Sequence, residues 1–170
     1  MNNNQSDKLN LSSLLDQYDY KINKIEEKKE REKSEREIFT EKFISLRDQK
    51  IKPILECLKE EIEKRGHNVR IEIVEPGWDS YKKIAIEPSI TFNLSLKQTL
   101  DNIDEYCDSR ELPHISFKCD SWKKMVWVHE STIGQGHGGH AGSRGKFSFD
   151  SLTEDVINRE FMGWFKDLVE

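Results

Sequence analysis

The sequence predicts an α+β fold, in which a long, coiled-coil-like N-terminal helix precedes an antiparallel sheet of about four strands with helices packed on one face. Three observations predict this fold. An apolar stripe with heptad spacing opens the chain, alternating apolar residues fill its middle, and a second helical stripe closes it. Strands that follow one another between helices are typical of the α+β class.

The composition predicts an appendage outside the core. The length of 170 residues fits one domain, but hydrophobic and charged residues each make up 35%, which is poor in apolar material for a compact globule. We therefore expect a disordered tail at 1–8, a charged helix for oligomerisation or docking at 9–48, and an α+β globular domain at 49–170. A Gly/His-rich loop is expected at 133–145.

Charge, cysteine spacing and hydropathy limit the expected binding partners and the expected cellular location. The net charge of −5 provides no long-range attraction for phosphates, so nucleic acid is a disfavoured partner. Cys57, Cys107 and Cys119 have no CxxC spacing, which favours a reducing, cytoplasmic location. No run of eighteen apolar residues occurs, so we expect no membrane partner. The single-domain character and the Asn/Lys/Ile-rich composition suggest a bacterial source.

The N-terminal stripe is the predicted oligomer or partner interface. Its apolar residues follow the spacing of a coiled coil and comprise Leu11, Leu14, Leu15, Tyr18, Ile22 and Ile25. The segment 26–37 contains no apolar residue, but the heptad phase continues through it to Phe39 and Phe43. This favours one continuous helix from Leu11 to Arg47. Two helices joined by a charged linker remain the alternative.

A second helical stripe follows Pro53, where we expect a kink or a fresh helix start, and it stops at Gly66. The closing helix is predicted to start with a capping box at Ser151 and Glu154. Its buried stripe comprises Ile157, Phe161, Trp164 and Leu168.

The strands lie between these helices. Apolar residues alternate from Val69 to Ile73, and those between Ile84 and Leu96 share even parity, which predicts that they all face inward. Two further strands flank a turn at 120–121. Their register stays open, because Ile115 could share a face with either Met125 or Val126.

The stretch HESTIGQGHGGHAGSRGKF, residues 129–147, holds six of the nine glycines. Closely spaced glycines let backbone N–H groups converge on an anion, which makes a small phosphate-bearing ligand one reading. Neither GxxxxGK[ST] nor a dinucleotide fingerprint is present. A plain flexible loop and a protein contact are the alternatives. The candidate ligand-binding residues are Gly136, Gly138, Gly139, Ser143 and Arg144.

Histidines in this stretch define a candidate metal site. His137 and His140 form HxxH, and His129 could join them. Zinc needs three or four preorganised ligands, so a divalent metal competes with a surface histidine pair, and no cofactor is predicted. His129, Glu130 and Ser131 are consecutive, and neighbours on a strand point to opposite faces. They form no catalytic relay, which favours a non-enzyme.

A weaker hypothesis concerns nucleic acid. Lysines and a tryptophan around the predicted 120–121 turn could bind a single strand, and a solvated strand surface is the alternative reading. The candidate residues are Lys118, Trp122, Lys123 and Lys124.

These observations favour a small cytosolic, non-enzymatic interaction or accessory protein. We expect it to form a homodimer, or to dock on another protein, through its N-terminal helix. The alternative is a ligand-sensing or weakly catalytic domain that binds an anionic ligand or a metal at the Gly/His loop. A nucleic-acid accessory protein is the third hypothesis.

Overall fold

The computed structural model describes the backbone of residues 4–97, 112–134 and 138–170, and the side chains from Asn10 onward within these ranges. The protein belongs to the predicted α+β class. It divides into two compact units, Met1–Ile38 and Phe39–Glu170. The first unit is helical, and the second contains the sheet and the closing helix.

Helix α1 spans Asn4–Leu46, which confirms the predicted long helix and places its start inside the segment expected to be a disordered tail. A π-helical turn, Arg47–Ile51, separates it from α2, Lys52–Glu63. Pro53 lies in the first turn of α2. Proline has no N–H to donate to the preceding turn, which disturbs the regular α-helical hydrogen bonding there. The π-helical turn lies at this point, where the sequence predicts a kink.

All strand pairs are antiparallel, and the main sheet has the order β1-β4-β5-β6-β7. A small sheet pairs β2 with β3. The strands are β1 Asn68–Val74, β2 Gly77–Asp79, β3 Ile84–Ile86, β4 Ser89–Ser95, β5 His114–Asp120, β6 Met125–Ser131 and β7 Ala141–Phe147. Helix α3, Glu154–Val169, follows β7.

The structure determines the register between β5 and β6, for which the sequence allowed two alternatives. Phe117 lies opposite Val128, and Cys119 lies opposite Val126. Both valines are buried, so this parity of β6 faces the core. Trp127 consequently belongs to the other, more polar face.

The core lies on one face of the sheet, against the helices. Phe92 of β4 meets the rings of Phe161 and Trp164 edge-on, at centroid distances of 5.0 and 6.1 Å. The predicted stripe of α3 is confirmed. Its N-cap, however, is Thr153, whose Oγ1 accepts from Val156 N at 3.3 Å, rather than the predicted Ser151. Ser151 instead bonds within the preceding turn.

Strands β2 and β3 extend the β1–β4 hairpin into a two-stranded arm. The pairing offset that sets Val74 opposite Ser89 also sets Gly77 opposite Ile86. The ladder breaks between these pairs, where each strand carries a proline that cannot donate to it.

Ile84 and Ile86 keep the predicted parity but are not buried. They are 53% and 38% exposed, because they lie in the arm beyond the five-stranded sheet.

Truncating Phe117, which is fully buried at the centre of the core, should lower the free energy of unfolding by about 3–5 kcal/mol in Phe117→Ala. Met162→Ala is the control, since Met162 is 56% exposed on α3 and its loss should stay within about 0.5 kcal/mol. Urea unfolding of both variants checks this. Equal losses would contradict the assigned core.

Candidate functional site

The residues that the sequence assigned to a glycine loop lie partly in a strand. Strand β7 begins at Ala141, so Ser143 and Arg144 belong to it. Gly136 and His137 lie outside the described residues, whereas Gly138 and Gly139 are described and exposed. The structure therefore describes only some of the candidate ligand-binding and metal-binding residues of this stretch.

A β-bulge aims Arg144 at the core side of the sheet. Val128 lies opposite Gly145, whereas the next residue, His129, lies opposite Ser143. Arg144 is therefore the extra residue between two register frames, and such an insertion redirects a side chain. Gly145, directly after Arg144 inside the strand, is the local sequence signal for this bulge.

The Arg144 guanidinium binds three carboxylates. Nη1 donates to Glu130 Oε2 at 2.5 Å and to Asp167 Oδ2 at 3.0 Å, and Nε donates to Glu160 Oε2 at 3.3 Å. The side chains of Glu130 and Glu160 are only 7% and 11% exposed. Burial alone would lower the pKa of Arg144, but its bonds to Glu130 and Asp167 outweigh burial and raise this pKa.

Glycine in α3 makes room for this contact. A Cβ at Gly163 would overlap Nη2 of Arg144. Glycine inside a helix costs roughly 0.5–1 kcal/mol relative to alanine, so its presence here is explained by the approach of Arg144. Glu160 also accepts from Arg159 Nη2 at 3.0 Å, which shares its charge between two guanidinium groups.

The end of the glycine loop is fastened to its beginning. Thr132 N donates to His140 O at 2.8 Å, and His140 N donates to Thr132 Oγ1 at 3.0 Å. A Cβ at Gly139 would come within 2.8 Å of the Thr132 backbone. Close packing of two chain segments therefore accounts for Gly139 without any ligand.

One trio of metal-ligand types occurs here among the residues that the structure describes. Ligand atoms of Glu130, His140 and Asp167 lie within 4.8 Å of one another, and His140 Nε2 is 3.0 Å from Glu130 Oε1. Arg144 Nη1 already bonds to both carboxylates and supplies the positive charge between them. These residues form an ion-pair network that connects β6, β7 and α3.

His129 belongs to a different environment from His140. Strand alternation directs it away from Glu130, and its ring lies 5.9 Å from those of both His114 and Trp127. Its Nδ1 is buried and has no hydrogen-bond partner among the described residues. Burial, followed by the charges of Lys118 and His114, lowers the pKa of His129.

The buried Cys119 is not an activated nucleophile. Burial, with the nearby Glu87 carboxylate, raises the pKa of the Cys119 thiol to about 12. Because only the thiolate is nucleophilic, Cys119 is inert at neutral pH. Cys57 is exposed on α2, and Cys107 lies outside the described residues.

The candidate nucleic-acid residues gather at one end of the sheet. Lys118 lies in β5, and Trp122, Lys123 and Lys124 form the turn between β5 and β6. Sequence reasoning missed that this turn has a counterpart between β2 and β3. The signal was available, since DSYKKI at 79–84 recurs as DSWKKM at 120–125.

The predicted interface residues of α1 are mostly open to solvent. Five are 49–60% exposed and Ile22 is half-buried. The five are Leu11, Leu14, Leu15, Tyr18 and Ile25.

Comparison of the chain with protein-family models, with curated proteins and with solved structures yields no match. Within the described ranges, no helix is both long and apolar enough to cross a membrane.

Removing the Arg144 guanidinium should destabilise the fold. Arg144→Met leaves Glu130 and Glu160 without their shared countercharge, so the free energy of unfolding should fall by about 3–5 kcal/mol in chemical denaturation. Arg159→Met is the matched control, because the Arg159 side chain is 66% exposed and its ion pair is worth about 0–1 kcal/mol. Similar losses in the two variants would sink this assignment.

The half-buried imidazole of His129 should make the fold acid-sensitive. A His pKa below its ordinary 6.5 in the folded state means that the unfolded chain binds the proton more readily. The stabilisation is complete above about pH 6.5 and declines as pH falls toward the folded-state pKa. In melting curves, His129→Phe should lose less Tm than the wild type over this range. Parallel profiles would refute the prediction.

Proposed function

We propose that the chain is a small cytoplasmic interaction protein that forms a homodimer through its N-terminal helix and presents the α+β unit to other molecules. The observation that carries this proposal is the exposure of the apolar stripe of α1. Its members follow heptad spacing from Leu11 to Ile25, and most are about half-exposed or more. An exposed stripe of this kind is typical of an interface.

The energetics support a partner for this helix. Most helical stability in proteins comes from packing of an apolar face rather than from the helix propensity of the residues. Full burial of one leucine contributes roughly 1.5–3 kcal/mol. Heptad spacing favours another helix as the partner, and a second copy offers an identical stripe.

The charged segment that follows limits the seam. It contains no apolar residue from 26 to 37, and its Lys28–Glu32 pair, at 3.7 Å, is exposed. Such pairs contribute only about 0.2–0.5 kcal/mol each. The dimer contact therefore concentrates between Leu11 and Ile25, over roughly 21 Å of helix.

The alternative of an anionic ligand at the Gly/His loop draws less support from the geometry. Arg144, its main cation, already bonds to three carboxylates. An incoming phosphate would have to displace buried acids and approach their negative charge.

Charges placed in the seam should separate the dimer. Leu15→Glu with Ile22→Glu, in the full chain, should convert a dimer to a monomer in size-exclusion chromatography with light scattering. Ser13→Glu with Tyr20→Glu is the matched control, since both positions lie on the opposite side of the heptad.

The measurement should cover about a hundredfold range of protein concentration, because association depends on concentration. A wild type that stays monomeric throughout would contradict self-association. A control variant that dissociates as readily as the seam variant would show that added charge, rather than position, is responsible.

A further inference from the structure

Two neighbouring hairpins are closed by nearly the same six residues. The turn between β2 and β3 reads DSYKKI, and the turn between β5 and β6 reads DSWKKM. Asp79 pairs across its hairpin with Ile84, as Asp120 does with Met125. We call residues 79–84 and 120–125 the twin turns.

The twin turns share a conformation as well as a sequence. Asp79 Oδ1 accepts from the backbone N–H of Tyr81 and of Lys82, each at 3.0 Å. Asp120 Oδ1 accepts from Lys123 N, also at 3.0 Å. Each aspartate side chain thereby organises the backbone of its own turn.

The last lysine of each turn adopts an unfavourable backbone conformation. Lys83 has φ of 54° and Lys124 has φ of 53°, and no other described residue except glycine has a positive φ. A Cβ disfavours this region, and glycine occupies it at no steric cost. Lysine at both positions therefore indicates that the side chain itself is used, since strained residues cluster at functional sites.

Both turns lie at the same end of the five-stranded sheet. Cys119 N donates to Pro88 O at 3.0 Å, and Ser121 Oγ donates to Glu87 Oε1 at 2.5 Å. The second turn therefore lies beside the base of the β2–β3 arm. From Glu87 to Lys83 the arm extends four residues, or roughly 13 Å at strand geometry.

This end combines exposed rings with lysines. Tyr81 is 93% exposed and Trp122 is 70% exposed. Each turn carries two lysines against one aspartate whose carboxylate accepts from the backbone. Each turn therefore carries one net positive charge, and the Glu87 carboxylate bonded to Ser121 reduces the sum for the two turns from two to one, on an otherwise acidic chain.

We infer that the twin turns bind single-stranded nucleic acid, with Tyr81 and Trp122 stacking on bases and the four lysines contacting phosphates. Rings and cations combined in this way bind single strands without reading sequence. This inference goes beyond the proposed dimer and does not depend on it. It also modifies the expectation drawn from net charge, since the local charge at the turns is positive.

An anionic membrane surface offers negative charge too, but the geometry fits it less well. The ring residue and the first lysine are neighbours at the centre of each turn, Tyr81 beside Lys82 and Trp122 beside Lys123. Insertion of a ring would carry the neighbouring lysine charge toward the apolar layer, which is costly. A flexible polyanion can contact these lysines while they stay in water.

Replacing the two left-handed lysines separates binding from folding. Lys83→Gly with Lys124→Gly should weaken binding of the full chain to labelled oligothymidine or oligouridine in fluorescence anisotropy, while Tm rises. Four lysine contacts predict a slope of log Kobs against log salt of about −2.8, and two contacts predict about −1.4. The control, Lys64→Ala with Lys97→Ala, removes equal charge near the opposite end of the sheet and should match the wild type.

The rings supply a second, independent readout. Tyr81→Ala and Trp122→Ala should each lower affinity roughly tenfold without changing the salt slope, whereas replacement by phenylalanine should keep most of it. A slope change in the alanine variants would show that the rings act through charge rather than stacking, contrary to the inference.

Three further outcomes would overturn the proposal. The wild type could fail to bind either oligonucleotide saturably at low salt, or the double glycine variant could bind as the wild type does. Alternatively, vesicles of phosphatidylcholine and phosphatidylserine could sediment the protein while the oligonucleotides leave it unbound, which would assign the turns to lipid. None of these results bears on the dimer, which the seam variants test separately.

Discussion

The buried carboxylate of Glu130 is the constraint on which one side of the domain depends. It occupies a core-facing position of β6, opposite the fully buried Ile115, where an unpaired charge would be very costly. The bulge supplies Arg144 as its countercharge, and Gly163 leaves the space that the guanidinium needs. Glu160 completes the cluster from α3. The bulge in β7, the glycine of α3 and the ring of His140 thus all meet around one desolvated acid.

This dependence changes how the glycine-rich stretch is understood. Gly139 allows close packing against Thr132, and His140 bonds to that same residue and to Glu130. Steric and electrostatic requirements of the fold explain these described residues. The surface with exposed rings and cations lies instead at the hairpin turns, where glycine is absent. Residues that are unusual in composition therefore serve structure here, whereas ordinary-looking lysines are the better candidates for binding.

Periodic features were predictable and cross-strand features were not. The heptad phase that continues to Phe43 and the stripe of α3 follow directly from spacing. The partnership of Arg144 with Glu130 depends on a register shift, and only the paired strands show which residues this shift brings together. The alternation of apolar residues predicted that Ile84 faces inward. Alternation does not show how far the helices that cover the sheet extend, and Ile84 lies exposed in the arm. The choice of Thr153 over Ser151 as N-cap was hidden, since either hydroxyl can cap a helix.

The pairing of β2 with β3 limits how the length of the arm can change. The strand pairs on both sides of the break at Pro76 and Pro88 have the same register. The register of the arm is therefore fixed by the register of β1 with β4. One extra residue on one strand alone would turn every side chain beyond it to the other face of the arm, unless a β-bulge absorbed it as the bulge at Arg144 does in β7. Without a bulge, the distance from the main sheet to the turn at Lys83 changes only when both strands gain or lose the same number of residues.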